Sequence, residues 1–189
     1  MRVKSIQTLS ALLLLLSGIA MAQTAKPAEP HTVNQVLTDA ITSLENEFVP
    51  AADAMPEDKY NFAPSNGEFK GVRTFAQQVK HVAAVNYLIG ASILEEKPPV
   101  DAGGESGPDA ITSKAAIMNF LKDSFAYVHK AAATINEKNL VSNIKDPFGE
   151  GTTTRLAMAG AIAWHGFDHY GQMAEYLRMN GIIPPASRH

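Results

Sequence analysis

Two histidines near the end of the chain have the spacing of a metal site. His165 and His169 lie four residues apart in a largely apolar run. A helix would place them on one side, about 6 Å apart along its axis. At that separation, two imidazoles from consecutive turns can bind one metal ion, as in the zinc proteases. The protease motif has Glu after the first His as general base, whereas this chain has Gly166. The segment therefore predicts a cation site without the proteases' catalytic carboxylate.

A specific metal site rarely has only two imidazoles, so a third ligand is expected. His81 is the leading candidate, because apolar residues one turn further on share its helical face and turn it inward. His129 lies beside an apolar stripe and is expected at the edge of the core. His31 and His189, near the ends of the predicted domain, are expected in solvent.

Three further residues on the same helix are candidates for support of the site. Asp168 lies about one turn from His165 and is expected to orient a ligand histidine, while Gln172 and Tyr176 are expected to steer a ligand or substrate. Spacing alone also allows an ordinary structural role. Buried histidines in helical proteins are more often hydrogen-bonded core groups than ligands, and Gln172 and Tyr176 are common helix residues.

Four apolar stripes with helical spacing position these side chains. They cover residues 33–48, 72–93, 111–135 and about 153–180. Pro50 and Pro56 are expected to end the first helix, and segment 143–151 is expected to be a turn. Because no segment alternates with period two, no strand is expected. The pattern predicts an all-α, up-down four-helix bundle with the histidines inside it near one end.

The N-terminus has the features of an export signal. Arg2 and Lys4 precede an apolar run, and Ala20-Met21-Ala22 forms a cleavage site, so we assign residues 1–22 to a signal peptide. Residues 23–30 are expected to form a flexible leader, and residues 31–189 the bundle domain. These features predict a periplasmic or secreted protein. No later segment is long and apolar enough for stable membrane insertion.

Composition excludes several classes of protein. The chain has no cysteine, so it has no disulfide and no thiolate ligand or nucleophile. A transition-metal site must therefore use His, Asp or Glu. The formal net charge of −3, with no basic cluster, argues against nucleic-acid binding.

Longer motifs resemble those of a known family. The run 165–172 has the pattern His-x-x-x-His-x-x-Gln, and Tyr-Leu-Arg and Gly181 follow it. This resembles the last helix of the DinB-like (YfiT-type) family. Residues 55–64 resemble that family's link between helices one and two, and residues 74–81 resemble its helix-two motif. The resemblance covers nearly all of the chain after the predicted signal.

The resemblance implies a four-helix bundle with a three-histidine site. One ligand would come from helix two and two from helix four, which correspond here to His81, His165 and His169. Such sites hold zinc or nickel with open positions, and neutral imidazoles suit either cation. Family members of known activity are cytosolic and use the metal to activate a small thiol. The predicted export of this chain departs from that pattern.

Three functions follow from these observations. The first is a metal-dependent transferase or hydrolase of unknown substrate, although no general base stands out beside the site. The second is a non-catalytic exported bundle that holds a metal or a small ligand. The third is an interaction scaffold in which the histidines are buried polar groups. A homodimer is compatible with all three, but no exposed stripe requires it.

Overall fold

The structure, a computed structural model, describes residues 30–188 and consists mainly of four long helices. These are α1 Val33–Ala54, α2 Phe75–Leu94, α3 Lys114–Ala132 and α4 Arg155–Met179. Short 3-10 helices at Glu57–Lys59, Gly104–Ser106 and Pro185–Ser187 lie outside them. The predicted helical bundle is confirmed. The predicted signal peptide, the leader up to residue 29 and His189 lie outside the described residues.

Local sequence sets the start of each long helix. The N-cap side chains each accept a hydrogen bond from a backbone N–H of the first turn: Thr32, Thr74, Ser113 and Thr154. Thr32 and Thr74 also form capping boxes with Gln35 and Gln77. At the other end of α4, Gly181 has a φ of 75°, the left-handed conformation that is typical of the residue after a helix.

The prediction that Pro50 ends the first helix is wrong. Pro50 lies inside α1, which continues to Ala54. The last turn of α1 buries Ala51 and Ala52 completely, and this burial offsets the hydrogen bond that Pro50 cannot donate. Pro56 does end the helix, because the residue before a proline is held in an extended conformation.

The prediction that residues 143–151 form only a turn is incomplete. Strands β1 Asn143–Lys145 and β2 Thr152–Thr154 pair in antiparallel fashion, with Ile144 opposite Thr153. Three residues a strand are too few for a recognisable alternating pattern. The hairpin leads directly into α4, because Thr154 is both the last strand residue and the N-cap.

The helices are not arranged in simple sequence order. α1 and α2 each pack against both α3 and α4, whereas α1 with α2, and α3 with α4, make few or no contacts. The consecutive helices α1 and α2 therefore lie diagonally across the bundle, as do α3 and α4, whereas α2 and α3 are direct neighbours. A simple up-down bundle would place all consecutive helices side by side.

Contacts between helix ends fix the directions. Three of the four neighbouring pairs have a contact close to an end: Asn34–Ala133 for α1 and α3, Lys130–Glu96 for α3 and α2, and Arg155–Ile93 for α4 and α2. α1 and α3 are therefore antiparallel, α3 and α2 parallel, and α2 and α4 antiparallel. The order is up-down-down-up, so the predicted up-down order is wrong. Apolar periodicity fixes which face of a helix is buried but not which helix covers it.

The parallel pair has a consequence for the connection between its members. The chain leaves the end of α2 and must return to the level of its start before α3 begins, and residues 95–113 make this return. The connection covers α2, whose side chains are buried on nearly all sides. It carries the Gly104–Ser106 turn past the first half of α2. Within residues 30–188, the helices all fall short of the length and apolarity needed to cross a bilayer.

Candidate metal centre

Three histidines converge where α2 meets α4. One ring nitrogen from each of His81, His165 and His169 lies within 4.8 Å of the other two. The Nε2 atoms of His81 and His165 are 3.0 Å apart. His81 and His169 are buried and His165 is half-buried. The structure thus brings together the three residues proposed as ligands.

The spacing suits a common metal ligand sphere. Two nitrogens that are each about 2.0 to 2.1 Å from one zinc ion lie about 2.9 to 3.4 Å from each other, depending on the angle at the metal. The distance of 3.0 Å between His81 and His165 falls in that range. Imidazole donors without thiolates suit zinc, nickel and similar divalent ions.

A backbone carbonyl fixes the orientation of His81. Its Nδ1 donates a hydrogen bond to the backbone oxygen of Glu105, at 2.5 Å. The proton on Nδ1 leaves the Nε2 lone pair directed at the other histidines, the arrangement common in protein metal sites. Among the described residues, Nδ1 of His165 and Nδ1 of His169 are buried without a hydrogen-bond partner. Burying such groups without a partner is costly, so these two rings are not ordinary hydrogen-bonded core histidines.

The surroundings of the three imidazoles favour their neutral form. Burial, together with the neighbouring His81, lowers the pKa of His165 to about 4. Burial and the other two histidines lower the pKa of His169 to about 3. Burial also lowers the pKa of His81. All three are therefore neutral near pH 7, which is the form that binds metals.

These pKa values predict that the metal-free protein loses stability as the pH falls. The folded pKa values lie below the unfolded value of about 6.5, so the unfolded chain binds more protons below that pH. Stability is present in full above about pH 6.5 and declines towards pH 4. The urea concentration at the unfolding midpoint, measured in EDTA, should decrease as the pH is lowered from 7.5 to 5.0. The decrease should be smaller for His169→Gln than for the wild-type protein. An equal decrease in the two proteins would contradict the lowered pKa of His169.

Glycines allow the Glu105 turn to approach His81. Gly107 has a φ of 76°, and a Cβ there would lie 2.7 Å from the Cβ of Lys80, the residue before His81. The Lys80 ammonium donates to the backbone oxygen of Pro108 at 3.0 Å, which anchors the same turn to α2. The turn thus rests directly against the backbone next to His81, whose ring it orients.

Gly107→Ala should therefore weaken metal binding. The added methyl must displace the turn and with it the Glu105 carbonyl, and loss of such an orienting partner typically costs about 10- to 100-fold in metal affinity. Gly104→Ala is the matched control, because its φ is also positive, at 61°, yet nothing lies within 4 Å of a Cβ there. Competition titration with a chromogenic chelator would measure both. Equal affinities for the two variants would rule out this role for the turn.

The predicted supporting residues of α4 make other contacts. The carboxylate of Asp168 accepts a hydrogen bond from Nε2 of Gln172 at 3.0 Å, and Oε1 of Gln172 accepts one from Gln78 of α2 at 2.8 Å. The Tyr176 hydroxyl donates to the backbone oxygen of Arg73 at 3.0 Å. In the described structure, none of the three predicted residues hydrogen-bonds to one of the clustered histidines. Their contacts instead join α4 to α2 and to the residues before it.

The remaining described histidines lie outside the cluster. Nε2 of His129 is 2.8 Å from the carboxylate of Glu45, and the side chain is partly buried, as expected for the edge of the core. His31 is exposed before α1. Neither belongs to the group of side chains that could share a metal with His81.

Glu105 is the site residue that sequence reasoning missed. It lies in the Gly-rich polar loop 101–109, outside the motifs and helical stripes from which the candidate residues were chosen. It lines a cavity beside His81 and His165, and its carboxylate is near enough to oppose partly the lowering of the His81 pKa by burial. The available signal was an acidic residue flanked by glycines at 103, 104 and 107, a composition that permits close approach of the backbone.

Known proteins share the sequence pattern and the fold. A family profile described as the DinB superfamily matches residues 40–173. A DinB-like protein from Bacillus cereus superposes with a TM-score of 0.65 at 16% identity, covering 80% of this chain and 95% of its own. YfiT from Bacillus subtilis, described as a probable metal-dependent hydrolase with an unusual four-helix bundle topology, gives 0.54 at 19% identity, covering 84% and 94%. No curated protein gives a significant match.

Proposed function

The chain belongs to the DinB superfamily, and we propose that it is an exported metal-dependent enzyme, a hydrolase in preference to a transferase. The observation that carries the proposal is the convergence of three neutral imidazoles on one point beside an open cavity. His81, His165 and His169 would hold the cation, with zinc or nickel the expected ions. When bound, such an ion lowers the pKa of a coordinated water or thiol and polarises a carbonyl group.

The residues around the histidines have separable roles. The Glu105 carbonyl holds His81 in one tautomer, so its Nε2 is available without rearrangement. Burial keeps the three side chains unprotonated across the neutral range. The Gln78–Gln172 hydrogen bond links α2 to α4 one turn from His81 and His169, which supports the spacing between the two helices.

Glu105 supports hydrolysis in particular. Glu105 lines the same cavity as His81 and His165, and its carboxylate is near enough to His81 to affect the pKa of that side chain, so it is placed to act as the general base that takes a proton from attacking water. A thiol transferase has less need of such a base, and the chain supplies no cysteine of its own. The description of YfiT as a probable metal-dependent hydrolase agrees with this choice.

Export is part of the proposal and is supported by the sequence alone. The charged start, apolar run and Ala-x-Ala site in residues 1–22 have the pattern of a secretory signal. Small-thiol pools are characteristic of the cytosol, so an exported member has reason to use water as the nucleophile.

The test begins with metal content and then measures activity. Protein expressed with its N-terminal segment, secreted and purified without a His-tag, should carry one divalent ion per chain. EDTA should lower its Tm, because metal that binds only the folded state stabilises by mass action. The zinc- and nickel-loaded forms should hydrolyse activated esters.

Glu105→Gln separates catalysis from metal binding. It keeps the backbone carbonyl, so metal content should be unchanged, while kcat should fall about 100-fold or more as for loss of a general base. Glu68→Gln, an exposed carboxylate in the α1–α2 connection, is the control and should leave both unchanged. Full metal content without turnover of ester or thiol substrates would favour the non-catalytic alternative. Absence of metal with no effect of EDTA would refute both.

A further inference from the structure

The cavity beside the histidines is large enough for an organic group. It lies between α2, α4 and the tip of the hairpin and has a volume of about 230 Å³. For scale, an engineered apolar cavity of about 150 Å³ binds benzene. The cavity therefore has room for an aryl ring or a short alkyl chain in addition to the atoms that would reach the metal.

Its walls are apolar over most of their area. The lining side chains apart from the two histidines and Glu105 are Val85, Ile89, Phe148, Met158, Ala161 and Trp164. None of these six offers a charged group, and only the indole N–H can form a strong hydrogen bond. A sugar, a phosphate or a peptide backbone would lose its hydration here without replacement, whereas a hydrocarbon would gain by leaving water.

Two exposed aromatic residues flank the opening. Trp164 is 67% exposed and Phe148 is 45% exposed, although both are large apolar side chains. Trp164 directly precedes the ligand His165, while Phe148 lies in the hairpin turn, where its backbone N–H donates to the Asp146 carboxylate. Rigid aromatic rings at a cavity mouth provide contact area at little entropic cost. A ligand in the cavity would cover both.

Only one end of the cavity is polar. His81 and His165 lie there, with Glu105 beside them. Charged side chains gather elsewhere, around a separate cavity of about 340 Å³ lined by Arg73, Lys80 and Asp109 among others. Lys80 and His81 are adjacent on α2 and therefore face different directions. The cavity at the histidines thus combines one coordinating end with an apolar body.

We propose that this cavity is the specificity site for an apolar acyl or aryl group whose carbonyl head lies at the histidines. The inference rests on the proposed metal site and names the substrate class: hydrophobic esters or amides of small acids. The carbonyl end meets the metal ligands and Glu105, and the hydrocarbon meets Ile89, Met158 and Ala161. Polar or anionic acids are disfavoured, because the walls supply no partner for them.

A series of n-alkyl hydroxamic acids tests the proposal, since the head coordinates zinc and only the tail varies. Zinc-loaded protein is titrated with the two-, four-, six- and eight-carbon acids, with calorimetry for Kd. Affinity should rise about fourfold for each of the first few methylenes, from about 0.8 kcal/mol per buried CH₂. Trp164 is the only tryptophan of the chain, so its emission should shift to the blue as the tail covers it.

Two variants locate the effect. Ala161→Phe fills the cavity and should reduce the eight-carbon acid to the affinity of the two-carbon acid. Gly171→Phe, at an exposed position of α4 away from the cavity where nothing lies within 4 Å of a Cβ, should change neither. Met158→Gln keeps the volume, adds a polar group and should lower only long-tail affinity, which provides a second readout if Ala161→Phe misfolds. Two-carbon binding without a gain from longer tails overturns this inference alone. The same increase of affinity with tail length in folded Ala161→Phe as in the wild-type protein would also overturn this inference alone. Failure of every hydroxamate to bind would overturn the metal site as well.

Discussion

His81→Ala is expected to reduce bound metal from one ion per chain to nearly none. The variant removes the one proposed ligand from α2 and leaves the two imidazoles on α4. Two imidazoles rarely hold a metal in competition with a chelator. ICP-MS of dialysed protein would show the loss, and far-UV circular dichroism should remain helical because His81 is not needed to form α2. His165→Ala should behave in the same way.

His129→Ala is the matched control for that experiment. It removes a partly buried histidine from a neighbouring helix, together with its contact to Glu45, but touches none of the three proposed ligands. It should retain a full complement of metal. Stoichiometric metal in His81→Ala would show that the third ligand is a different residue, and loss of metal in His129→Ala would show that the assay reports stability instead of coordination.

Gly166→Glu is expected to destabilise the protein by about 4 kcal/mol or more. The substitution would recreate the protease sequence, but Gly166 faces α1, where a Cβ would lie 2.2 Å from a methyl of the fully buried Leu44. Overpacking costs about 1 to 3 kcal/mol, and burial of an unpaired carboxylate adds several more. No proteolytic activity should appear, because the side chain would point away from the histidines. Urea unfolding measures the loss.

Gly171→Glu offers the same change at an exposed position of the same helix. Nothing lies within 4 Å of a Cβ there, and replacement of a mid-helix glycine should stabilise by up to about 1 kcal/mol. Gly166→Ala should fall between the two, since its clash with Leu44 opposes its gain in helix propensity. A Gly166→Glu protein as stable as Gly171→Glu would mean that α1 and α4 are not in close contact at this level.

The sequence predicts those features that depend on nearby residues. The i,i+4 histidine pair, the threonine cap at the start of α4 and the end of α4 at Gly181 all follow from local spacing. His81 could be selected because its apolar neighbours give it an inward face. The helix directions could not be predicted from the sequence, because several different bundle topologies would bury the same apolar stripes.

Other features depend on contacts between distant segments. Pro50 remains helical because of what the last turn of α1 buries, which local rules do not describe. Glu105 reaches His81 because residues 95–113 run back along α2, a path that exists only when α2 and α3 are parallel. Asp168 has the right spacing to reach a histidine, but Gln172, which Gln78 anchors, is its partner instead.

Because of the helix order, metal binding would also stabilise the observed fold relative to other arrangements of the same helices. In an up-down bundle, α2 and α4 would be diagonal and parallel, so His81 would not lie on a helix packed directly against His165 and His169. The observed order makes these helices antiparallel neighbours, with the three imidazoles at one level. Suppose that the Kd of the cation for this arrangement is about a thousand times lower than the concentration of free cation. Binding then stabilises this arrangement by about 4 kcal/mol relative to any other order of the same four helices that cannot bind the cation. Refolding with metal present should therefore suppress misassembled bundles that the apolar stripes alone would permit.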